Sequence, residues 1–250
     1  MMDILALDFD GVICNSADEA AVTGWRAAGR LWPRRFEGDA PAEIIAGFRM
    51  VRPVMETGYE SILLVRLLRD GLSVDKILDD AASLFTRLIN ESLFERDRLI
   101  RLFGQTRDAW IAADLSDWIN RHRFYDGVVD ALNQSDVPMY IITTKEKRFA
   151  LALCDAAGLR IPEAHVFGLE SGRKSAVLAE LSRRHKGARF HFIEDRLPTL
   201  LQMADCGDLD IRLYFAEWGY NTAEDRKQAD QASNIRVLTQ DRFPEFARSF

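Results

Sequence analysis

The sequence predicts an α/β fold: a doubly wound parallel sheet with an inserted all-helical domain. Two observations carry this. Short apolar runs alternate with helical patterns through the second half of the chain, and one isolated apolar run opens it, separated from the others by a long helical stretch. The strand-like runs fall at residues 4–7, 139–143, 166–169, 190–193 and 211–215. Helical patterns lie between them at 128–132, at 149–157 closed by Gly158, at 175–185 ending near Gly187, and at 198–204 with Pro198 in the first turn. Such alternation builds a parallel sheet with helices on both faces, and places ligands outside the carboxyl ends of the strands.

From residue 17 to about 120 strand signals vanish and apolar positions repeat with helical spacing. The clearest series is Val74, Ile77, Leu78, Ala81, Ala82, Phe85, Leu88 and Ile89, with Ser73 as the N-cap. A structureless loop of roughly 100 residues is improbable in a compact domain. The expectation is therefore a core made of residues 1–16 and 121–250, and a separate helical domain at 17–120.

The chain has 250 residues, 48% of them hydrophobic, with a formal net charge of −6 and an isoelectric point near 5.4. That balance argues against a nucleic-acid partner, which calls for a basic footprint. No basic segment precedes an apolar stretch at the start, and no uncharged window reaches membrane-spanning length, so the expected setting is the cytoplasm, away from membranes. Cys14, Cys154 and Cys206 are widely spaced and odd in number, and suggest neither a disulfide framework nor a zinc site.

The opening run Leu5-Ala6-Leu7-Asp8-Phe9-Asp10-Gly11-Val12 delivers two carboxylates, Asp8 and Asp10, to one side of a strand's carboxyl end. Like charges held together call for a cation, a shared proton or a reaction. Alone, Asp-x-Asp-Gly reads equally as a helix cap or a calcium loop. Three further element ends bear on it. Tyr140-Ile141-Ile142-Thr143-Thr144 is an apolar strand ending in hydroxyls able to donate to a phosphate oxygen. Gly172-Arg173-Lys174-Ser175 puts a cation at a helix start, where an anion is welcome. His191-Phe192-Ile193-Glu194-Asp195 is a second strand that ends in acids.

In this order the four segments resemble the haloacid dehalogenase superfamily. Tyr125-Asp126-Gly127-Val128 and Trp218-Gly219-Tyr220 are also similar to segments of its phosphoglycolate-phosphatase-like members, and the insertion resembles the family's helical cap. The resemblance implies a magnesium-dependent phosphatase that works through an aspartyl-phosphate on a small phosphorylated metabolite, as a monomer or homodimer. It makes Asp8 the nucleophile and Asp10 the acid and base. Gly11, Thr143, Thr144 and Lys174 hold the phosphoryl group, and Asp8, the Asp10 carbonyl and Asp195 bind Mg2+. Thr199 stands where the family often has another acid, and Glu194 is the expected substitute in the metal shell.

Asp10 favours phosphate chemistry over dehalogenation, which has no use for it. Lys76, the one lysine between residues 17 and 120, has Asp75 and Asp79 nearby and reads as a surface ion pair rather than a catalytic amine. In the insertion, residues 48–59 form the candidate specificity segment, with Arg52 suited to phosphate or carboxylate recognition; a plain interhelical connection reads equally well. Trp25, Trp32, Trp110 and Trp118 read as packing residues, and His191 as structural. The competing expectations are a phosphomutase, or a catalytically impaired member that binds a ligand or protein.

Overall fold

A computed structural model of the chain describes residues 2–204 and 210–250, so Cys206 lies outside the described residues. The strands are β1 (Asp3–Leu7), β2 (Cys14–Asn15), β3 (Arg123–Phe124), β4 (Met139–Ile142), β5 (Val166–Phe167), β6 (Arg189–Glu194), β7 (Ile211–Ala216) and β8 (Ile235–Leu238). Six of them form a sheet in the order β5-β4-β1-β6-β7-β8, parallel throughout. β2 and β3 pair antiparallel outside it.

The chain divides into two compact units, Met1–Asn15 with Arg123–Phe250, and Ser16–His122. In the second unit the described elements are helical: α1 (Ala17–Leu31), α2 (Ala42–Val51), α3 (Glu60–Arg69), α4 (Val74–Ser92), α5 (Arg96–Ala113) and α6 (Leu115–Asn120), with a 3-10 turn at Arg52–Val54. The first unit adds α7 (Val128–Asn133), α8 (Lys147–Ala156), α9 (Lys174–Arg184), α10 (Leu197–Ala204), α11 (Ala223–Gln231) and α12 (Phe243–Ala247).

The central strand β1 is buried on both faces, which is why Ile4, Leu5, Ala6 and Leu7 form an unbroken apolar run. One face packs Ile4, Ala6, Phe190, Phe192, Leu213 and Phe215 beneath Leu178, Leu181 and Leu200. One expected strand is cut short, and one observed strand has no counterpart among the expected runs. The strand expected at 166–169 stops at Phe167, because Gly168 leads into a 3-10 turn at Leu169–Ser171. The edge strand β8 has only four residues, with Arg236 exposed, too short and polar to stand out as a run.

In the helical unit, Ser73 caps α4 by accepting the Lys76 N–H at 3.4 Å. Non-helical backbone at Asp80 kinks that helix and rotates the later turns, so Leu84 is buried while Ala82 faces solvent. Gly24 lets α1 approach α3 closely, since a Cβ there would stand 2.8 Å from the Ser61 carbonyl oxygen. Trp25, Trp110 and Trp118 are buried. A charged network joins α1, α5 and α6: Glu19, wholly buried, accepts two bonds from Arg107 at 2.8 and 2.6 Å, one from Thr23 and one from the Trp118 indole.

Candidate active site

β1 and β6 are neighbours in register, so their ends bring Asp8 beside Glu194 and Asp195. One carboxylate oxygen from each lies within 4.8 Å of the others, and all three residues are buried. The donor set is entirely oxygen and anionic, which fits a hard divalent cation such as magnesium. Lys174, the first residue of α9, lies against the same group, its Nζ 2.9 Å from Asp8 Oδ1 and 2.6 Å from Glu194 Oε2. Glu194 Oε1 accepts the Arg196 N–H. Thr199 is occupied differently, its hydroxyl 3.5 Å from an Arg196 guanidinium nitrogen.

Burial pushes the Asp8 carboxyl up from 3.8 to about 6; Lys174 opposes this, and the charges of Glu194 and Asp10 add to it. For Lys174 burial acts downward, yet Asp8 and Glu194 outweigh it and raise its pKa above the ordinary lysine value. At neutral pH the ammonium therefore stays charged and Asp8 is mostly ionised.

Two glycines fit around Asp195. Gly11 has φ +91, and a Cβ on it would fall 1.9 Å from Asp195 Oδ2. At Gly219 a Cβ would sit 2.3 Å from the Asp195 Cβ and 2.4 Å from the Gly11 carbonyl oxygen. The Tyr220 N–H donates to Asp195 Oδ2 at 2.6 Å, and its hydroxyl donates to Asn15. Trp218 donates to the Val12 carbonyl, tying the Trp-Gly-Tyr segment to the loop after β1.

Thr143 follows β4 and is buried; its hydroxyl accepts the Lys145 N–H at 3.2 Å in a tight turn that also carries Thr144. Lys145 was not among the expected site residues. Its side chain is fully buried, with Nζ 3.2 Å from Asp10 Oδ2. A lysine after Thr-Thr reads as the solvated start of the next helix, and nothing local signals that the turn folds it inward.

In the helical unit, Arg52 is buried in the 3-10 turn and donates to the Met55 carbonyl at 3.0 Å. Phe48, Val51, Met55 and Tyr59 of the same segment are core residues. Lys76 is exposed. His191 is buried in β6, bonded to Asp3 and Tyr214.

The parallel order β5-β4-β1-β6-β7-β8 is that of a doubly wound α/β sheet, with the acids of β1 and β6 at the carboxyl ends where such sheets bind ligands. Solved structures of haloacid dehalogenase-like proteins share this fold. A haloacid dehalogenase-like family hydrolase from Streptococcus pneumoniae matches with a TM-score of 0.58 at 15% identity, covering 98% of both chains. A predicted phosphoglycolate phosphatase from Haemophilus somnus matches with a TM-score of 0.63 at 13% identity, over 99% of this chain and 98% of that one. A phosphoglycolate phosphatase assignment also attaches to a structure from Lactobacillus delbrueckii, with a TM-score of 0.59 at 14% identity, covering 100% and 98%. No protein-family model matches the sequence, and no curated protein does.

Proposed function

We propose that this chain is a magnesium-dependent phosphatase that hydrolyses a small phosphorylated metabolite through an aspartyl-phosphate on Asp8. The observation that carries this reading is the meeting of a nucleophile-type carboxylate, a buried ammonium and two further acids at adjacent strand ends. Phosphoryl transfer asks mainly for position and positive charge. The names of the similar structures, hydrolases and phosphoglycolate phosphatases, support the same class of chemistry.

Asp8 attacks phosphorus as its bond to the leaving oxygen breaks, and Asp10 gives that oxygen a proton. Asp10 then takes a proton from the water that attacks the aspartyl-phosphate, releasing inorganic phosphate and freeing Asp8. Lys174 and Thr143 hold the phosphoryl oxygens, assisted by Thr144 and by the backbone at Gly11. Asp8, Glu194, Asp195 and the Asp10 carbonyl would hold the metal, which when bound supplies the charge that lets the anionic nucleophile meet an anionic substrate. We assign substrate selection to the helical unit, with Arg52 as its anion-recognising residue. Cys14 and Cys154 are buried and outside any disulfide, which suits a reducing compartment such as the cytoplasm.

The test is phosphate release from a panel of phosphorylated metabolites with magnesium, with EDTA, and with Asp8→Asn. Turnover that needs both the metal and Asp8 is expected. Its absence across the panel would refute the phosphatase reading and favour a binding role.

A further inference from the structure

The amino ends of the same strands, at the opposite edge of the sheet from Asp8, border a cavity of about 370 Å³, within the range of small-ligand pockets. Sheet register builds it. Asp3 pairs with Arg189, His191 with Arg212, and Tyr214 with Arg236. Since side chains alternate along a strand, these six share the face opposite the one carrying Ile4, Phe190 and Leu213. Three guanidinium groups are thereby gathered around one hollow in a chain of net charge −6.

Beside them is an aromatic surface. The His191 ring stacks on Tyr214 at 26° with centroids 5.7 Å apart, Phe250 lies 4.2 Å from His191, and Phe246 lies 4.6 Å from Tyr214. Hydrogen bonds hold the His191 ring in place, Nε2 2.8 Å from Asp3 Oδ1 and Nδ1 3.0 Å from the Tyr214 hydroxyl. Burial, aided by the charges of Arg212 and Arg189, holds the imidazole below its ordinary pKa against the pull of Asp3.

The arginines have little internal use. Arg189 reaches Asp210 at 3.8 Å, while Arg212 and Arg236 are exposed and in no ion pair among the described residues. Like charges crowded at a cavity repel one another, and an anion seated among them removes that cost. Guanidinium forks match phosphate oxygens, and the rings offer a stacking face.

We propose that this cavity binds a nucleoside monophosphate, its phosphate on Arg212 and Arg236 and its base against Phe246 and Phe250. The site is independent of the chemistry proposed at Asp8. The test is calorimetric titration of the full chain in EDTA with AMP, adenosine and inorganic phosphate, repeated on the Arg212→Ser/Arg236→Ser double variant. One saturable AMP site is expected, with adenosine and phosphate each bound at least about tenfold more weakly, and AMP affinity reduced at least about tenfold in the double variant. Both arginines are exposed, so an unchanged melting temperature is expected and confirms the fold. Absence of saturable AMP binding at millimolar concentration would overturn the proposal, as would equal affinity in the double variant. Phosphate binding as tightly as AMP would also overturn it, by removing the aromatic contribution.

Discussion

Replacing Lys174 with methionine removes the ammonium that lies 2.9 Å from Asp8 and 2.6 Å from Glu194 while keeping the side-chain volume. Both carboxylates are buried, and leaving a buried charge without its partner costs about 3–5 kcal/mol. For a protein of this size each kcal/mol moves the melting temperature by about 2–4 °C, so a drop of about 6–20 °C is expected at pH 8 without metal. Asp8 is an acid whose folded pKa, about 6, lies above its ordinary 3.8. Between those values the folded state binds more protons than the unfolded one, and the stability from this group is lost as pH rises through the window. Without Lys174 the folded pKa rises further, so the variant's deficit is full at pH 8 and shrinks at pH 5, where Asp8 takes up a proton. Magnesium is expected to raise the variant's melting temperature more than the native protein's, because an ion bound among these carboxylates would replace the missing charge. The assay is a set of melts at both pH values with and without magnesium. A metal-free shift under about 2 °C at pH 8 would refute the reasoning, as would an equal deficit at pH 5.

In the phosphatase assay, Lys145→Met leaves Asp10 without the cation 3.2 Å from its carboxylate; kcat is expected to fall about tenfold or more while KM moves less than about threefold, and a loss confined to KM would count against a role at Asp10. In the helical unit, Arg107→Met removes the guanidinium that pairs with the wholly buried Glu19 carboxylate and leaves it the Thr23 and Trp118 hydrogen bonds. A loss of about 3–5 kcal/mol is expected by chemical denaturation, with part of it restored by adding Glu19→Gln.

The fold class was legible because each core strand concentrates apolar residues into a short run and ends in a residue of different chemistry. Asp8, Thr143, Glu194 and Asp195 stand at such ends, and Lys174 opens a helix, so their positions could be read from local pattern alone. β8 escaped because four residues with an exposed arginine resemble a loop. Lys145 escaped because its burial depends on how the turn after β4 folds. The pairing of Glu19 with Arg107 spans 88 residues and has no local signature. Nor has the row of Arg189, Arg212 and Arg236, which exists only when three strands are aligned in register.

The position of β1 at the centre of the sheet bears on how the chain is made. Its neighbours are β4 and β6, both later in the chain, so β1 has its two edges unpaired until Met139 and then Glu194 have been synthesised. At typical elongation rates of about 5–20 residues per second that interval is roughly ten seconds or more. Every residue of the helical unit emerges within it, so all the partners its helices pack against are present before β1 has a neighbour on both sides. The helices therefore have time to fold first, while Ile4, Leu5 and Leu7 wait as an exposed apolar edge. Nascent chains stalled before residue 139 should expose that segment to chaperones, and chains extended past residue 194 should bury it.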